Sequence, residues 1–99
     1  MRVIIREAAY HDLDQIYAWI ARDRPRTADA VIAAILKSTE RIGCLPYIGH
    51  DGSAPGTYEW VIPELRYIVV YRISETEDLI FVDAVFHGAQ EQGRSAGRL

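Results

Sequence analysis

The 99-residue chain has a single cysteine, Cys44. One thiol cannot form an intrachain disulfide, and a cysteine-rich zinc site is excluded with it. Cys44 itself reads as a small buried hydrophobe near a helix end, the usual setting of a free thiol. No apolar run approaches the roughly 18 residues that a membrane-spanning helix needs. Arg2, Arg6 and Glu7 interrupt the N-terminus, so no secretory signal pattern is present. A cytoplasmic chain with no membrane partner is expected. Positive charge is also scarce. Lys and Arg total 11 against 14 Asp and Glu, a formal net charge of -3. Nucleic-acid binders are usually clearly basic, and no sequence-specific DNA binding is expected. His11 and His50 stand at no metal-ligand spacing, and neither a metal nor a cofactor is expected. Without an internal repeat or a compositional break, the chain is one small domain.

What the chain does have is a long apolar run, Glu64 to Ile73. Its centre, Tyr67 to Ile73, is interrupted only by Arg72 and contains no Gly or Pro. β-Branched and aromatic residues in such a run predict a central strand. A second run, Leu79 to Phe86, follows a short polar joint, and the two predict an antiparallel hairpin turning near Thr76 and Glu77. Opposed residues would then have numbers summing to about 153. Side chains alternate between faces. Tyr67, Val69, Tyr71 and Ile73 would share an apolar face with Ile80, Val82, Ala84 and Phe86. Arg66, Ile68, Val70 and Arg72 would share the other with Phe81, Asp83, Val85 and His87. That register places Arg66 opposite His87 and gathers every polar group of the hairpin on one side.

Upstream, Val3 to Ile5 is a candidate edge strand. Leu13, Ile16, Tyr17 and Ile20 fall at i, i+3, i+4, i+7 and predict an amphipathic helix ending near Asp23. Pro25 suits the first turn of a second helix running to about Arg41, with Ala28, Val31, Ile32, Ile35, Leu36, Thr39 and Ile42 on its apolar face. The short joint makes the two helices an antiparallel hairpin. Gly43 is a plausible C-cap. Cys44 to Gly56 reads as a Gly- and Pro-rich loop, Thr57 to Ile62 as a strand, and Pro63-Glu64 as a turn. The fold class is therefore α+β: an N-terminal strand, a helical hairpin, then three antiparallel strands in one sheet. Residues 1–89 would form the domain and residues 90–99 a flexible tail.

Several stretches carry a resemblance. They are Asp12-Leu13 with Ile16 and Trp19-Ile20-Ala21, then Pro25, then Leu45-Pro46 with Gly49. Further along are Gly56-Thr57 with Glu59, Tyr67 to Arg72, and Val85 to Gln90. In this order and spacing the chain resembles the RelE/ParE superfamily of toxins from type II toxin–antitoxin systems, the ParE branch in particular. It departs from the family pattern where Tyr58 and His50 stand at positions that are commonly basic. The resemblance implies a growth-arresting toxin, neutralised in a hetero-oligomer by a ParD-like antitoxin, that inhibits DNA gyrase by binding. It also allows RelE-like, ribosome-dependent mRNA cleavage, or an inactive relative.

The nuclease alternative needs a base, an acid and a cation for the phosphorane. His87, Arg66, Arg72 and Glu59 are the candidates for those roles. The simpler reading of the same residues is structural: Arg72 paired with Asp83, His87 capping its strand end, Arg66 and Glu59 on the surface. For gyrase binding the candidates are Arg66, Arg72, Arg94 and Arg98. Tyr10, Tyr17, Trp19, Trp60 and Tyr67 are candidate antitoxin anchors, since partly exposed aromatics dominate interfaces.

Overall fold

A computed structural model describes residues 1–89. The elements run β1 (Arg2–Ile5), α1 (Glu7–Ala21), α2 (Pro25–Cys44), β2 (His50–Asp51), β3 (Tyr58–Val61), β4 (Tyr67–Ser74) and β5 (Leu79–His87). The predicted tail, with Arg94 and Arg98, lies outside the described residues.

The helical hairpin forms as its periodicity predicts. Pro25 sits in the first turn of α2, where its missing N–H costs nothing. Ala28, Ile35, Thr39 and Ile42 of α2 and Ala9 and Leu13 of α1 are buried. Complete burial of a side chain such as Ile35 is worth roughly 1.5–3 kcal/mol. Gly43 is not the C-cap. The helix runs through it to Cys44, because Gly43 is where the N-terminus crosses. The Met1 ammonium donates to the Gly43 carbonyl at 2.8 Å, placing a cation on the negative end of the helix. A Cβ on Gly43 would come within 2.8 Å of the Met1 carbonyl oxygen. Cys44, expected to be buried, is exposed on the last helical residue.

The sheet has five strands in the order β1-β5-β4-β3-β2. It is mixed, because β1 pairs in parallel with β5. The two-residue strand β2 lies inside the stretch expected to be loop and pairs with β3.

The central hairpin departs from the even register at one point. Near the turn, Tyr71 pairs with Val82 and Ile73 with Ile80, as predicted; beyond it, Val70 pairs with Ala84 and Tyr67 with His87. Asp83 is the extra residue of a β-bulge, and a bulge shifts the alternation of everything after it. Val85 therefore joins Val69, Tyr71, Ile80 and Val82 in the core beneath the helices. Ala84 and Phe86 turn to the opposite face, and His87 turns to the helix side beside Tyr67. Arg66 is not opposite His87.

Candidate functional site

On the helix side, a groove runs between α1 and β5. Asp12, Gln15, Ile16, Trp19 and Ile20 form one wall; Tyr67, Val85 and His87 stand across from them. The helical wall is one stripe by its i, i+3, i+4, i+7 spacing. Asp12 locks the groove's depth: its Oδ2 accepts the Val85 N–H at 2.9 Å, just past the point where β1 leaves the edge of β5. The Tyr67 and His87 rings meet edge to face at 5.1 Å, and His87 Nδ1 accepts the Ala89 N–H at 3.0 Å. Burial pushes the Tyr67 phenol above its usual pKa. Trp19 is 70% exposed at the rim, with the Arg22 guanidinium 5.3 Å from its ring.

On the far side of the sheet, Arg72 donates to Asp83 twice, from Nε at 2.6 Å and from Nη2 at 3.1 Å. These hydrogen bonds raise the Arg72 pKa, against a partial opposing effect of desolvation. The guanidinium also lies 5.4 Å from the Phe81 ring, and that of Arg6 5.7 Å from the same ring. Arg72 keeps 42% of its side chain exposed, so the pair contributes about 1 kcal/mol at most. Glu59, expected on the surface, is only 6% exposed. The Ser53 N–H of the β2–β3 loop reaches it at 3.4 Å, and His50 Nε2 stands 3.8 Å away.

Two features tie the ends of the sheet down. Near β2, Tyr71 donates its hydroxyl to the Pro46 carbonyl at 2.7 Å and accepts the Gly49 N–H at 3.0 Å. Tyr58 stacks on Tyr71, Tyr47 meets Tyr58 edge to face, and Tyr47 donates to Glu75. That hydrogen bond, with lesser effects of desolvation and charge, pushes the Tyr47 phenol up to about 12. At the other end, the turn from Pro63 to Arg66 carries two non-glycine residues at positive φ, Glu64 at 71° and Arg66 at 62°. Such conformations cost roughly 1–3 kcal/mol each. Among the described residues, no group of three His, Cys, Asp or Glu side chains is placed to hold a metal, and no helix is long and apolar enough to cross a membrane.

A model of the ParE toxin of type II toxin–antitoxin parDE systems matches residues 3–92. A Sinorhizobium fredii protein named as a candidate toxin, Y4kP, is 32% identical over 83 residues, covering 84% of this chain and 83% of its own. The chain belongs to the ParE toxin family. The fold agrees. The chromosomal ParDE system from P. aeruginosa superposes with a TM-score of 0.78 at 17% identity, over 88% of this chain and 95% of that one. The intact E. coli RelBE toxin–antitoxin complex gives 0.62 at 18% identity, over 87% and 94%.

In this ParE-family chain, the residues singled out from the sequence separate by place. Trp19 and Tyr67 meet in the α1–β5 groove, joined by His87. Tyr10 and Tyr17, 55% and 40% exposed, share the opposite flank of α1, since two residues carry a helix about halfway round. The Asp29 carboxylate beside Tyr17 raises its phenol pKa. Trp60 is half-buried on β3 against the core. Glu59 and Arg72 lie apart from His87, whereas Arg66 borders it: Tyr67 pairs with His87, and the Arg66 carbonyl accepts the Gly88 N–H at 2.7 Å. Asp12 was missed as an organising residue; Asp83 was read as the partner of Arg72, as the two hydrogen bonds show, but not as the residue of the bulge. The signal for Asp83 was present, as the one carboxylate inside the apolar run Leu79 to Phe86.

Proposed function

We propose that this ParE-family toxin acts by binding, with DNA gyrase as its target, and that a ParD-like antitoxin neutralises it. The disposition of the charged groups carries this reading. A nuclease would need its acid, base and phosphate-gripping cation converging on one surface. His87 instead faces α1 across the sheet from Arg72, and Arg72 is occupied by Asp83. A binding inhibitor asks only for a presented surface. The antitoxin's place is supported by aromatics on both flanks of α1: the exposed Trp19 and the half-buried Tyr67 line the groove, and the exposed Tyr10 and Tyr17 lie on the outer side. Large apolar side chains left in water are typical interface anchors.

The test is growth arrest on induced expression, with supercoiling and cleavage by purified gyrase assayed beside mRNA integrity. Arrest with inhibited or trapped gyrase and intact mRNA is the expected result. Codon-phased mRNA cuts with gyrase unaffected would replace the binding reading by the nuclease one.

A further inference from the structure

The β3–β4 turn is held in a conformation that its residues disfavour. Glu64 and Arg66 occupy the left-handed region, which side chains other than Gly, Asn and Asp seldom enter. The backbone around them is over-determined. Leu65 N–H donates to the Pro63 carbonyl at 2.8 Å, closing a γ-turn on Glu64. Arg66 N–H donates to the Ile62 carbonyl at 3.2 Å, and the Arg66 carbonyl accepts the Gly88 N–H at 2.7 Å. A Cβ on Gly88 would stand 3.2 Å from that carbonyl oxygen. Leu65 packs against the core between the two strained residues. The net effect is a rigid turn that projects the Arg66 side chain.

That side chain differs from other arginines of the fold. Arg72 is held by Asp83, Arg6 lies on Phe81 and Arg22 on Trp19. Arg66 is exposed, and among the described residues its side chain, like those of Arg2, Arg24, Arg26 and Arg41, makes no hydrogen bond or ion pair; of these five, Arg66 alone stands on a backbone held at positive φ. Backbone strain persists where the surroundings enforce it, and it concentrates at sites that bind. A glycine at this position would relieve the strain and lose the guanidinium.

We infer that Arg66 is an anchor through which this toxin grips its target, and that it takes a carboxylate on a protein surface; this rests on the binding reading above. The planar guanidinium matches a carboxylate with two parallel hydrogen bonds. A nucleic-acid backbone fits poorly, since phosphates are gathered by several cations together. Arg66 stands beside the exposed Glu64 on a chain of net charge -3.

The experiment compares wild type with Arg66→Gly, Arg66→Asn and Arg66→Lys in thermal unfolding, antitoxin binding and growth arrest. Gly and Asn suit the left-handed backbone, so these variants should melt no lower than wild type and keep antitoxin binding. The toxin level needed for arrest should rise roughly tenfold or more for Gly and Asn, and less for Lys. Arrest by Arg66→Gly or Arg66→Asn at wild-type levels overturns the inference. So does a clearly lower melting temperature or lost antitoxin binding, which would make the role structural. Arrest that depends on Arg66 while gyrase is untouched sinks the gyrase assignment alone. A wild type that cuts mRNA, or that fails to arrest growth, overturns both.

Discussion

Strand β4 begins next to one arginine and contains another near its far end, and the two have opposite fates. Arg72 lies within the strand, where the bulged Asp83 and the Phe81 ring absorb its charge. Arg66 precedes the strand, on a turn whose backbone is strained and whose side chain is presented to solvent. In the sequence they look equivalent, two cations flanking an apolar run. The difference teaches that a cation in a sheet is a candidate contact only after its neighbours have been counted. Asp83 serves twice in that count: it neutralises Arg72, and as the extra residue of β5 it also decides which face His87 joins.

Deleting Asp83 is the harshest way to break this comparison. Ala84 would follow Val82 directly and stay opposite Val70, and Val85 would stay opposite Val69 in the core, so the faces are kept while the bulge and the carboxylate partner of Arg72 are both lost. A cooperative melt at a lowered temperature, followed by circular dichroism, is expected; loss of the cooperative transition would show that the sheet cannot close without the bulge. Arg72→Ala is milder. It should lower stability by about 1 kcal/mol or less, read from denaturant unfolding, and leave growth arrest intact. Lost toxicity in a stable Arg72→Ala protein would erase the contrast with Arg66. Smallest is Tyr47→Phe, at the end of the sheet away from Arg66. The Tyr47 phenol is raised from 10 to about 12 by its hydrogen bond to Glu75. Its stabilisation is therefore complete below pH 10 and lost as pH rises through 12. The small melting-temperature deficit of the variant should be constant at neutral pH and close across that alkaline window.

Much of the fold was legible because its signals are local. The apolar period of α1, the proline opening α2 and the two runs of the hairpin each name their element within a few residues. The errors fall where a distant group intervenes. Gly43 sits inside α2 because Met1 crosses it. His50 and Asp51 form a strand because β3 offers them an edge. Glu59 is buried because the β2–β3 loop folds over it. Among site residues, the aromatics could be named as candidates from composition, but not their division between the groove on one flank of α1 and the surface on the other.

Sequence alone therefore determined the element order, the α+β class and the resemblance to a toxin family, since periodicity and turn chemistry act over short stretches. Tertiary structure decided which polar groups share a surface. One inserted residue reverses the alternation of a strand without altering its composition, and an arginine's availability depends on carboxylates far away in the chain. Both are matters of register and packing, and together they set His87 on the opposite face of the sheet from Arg72.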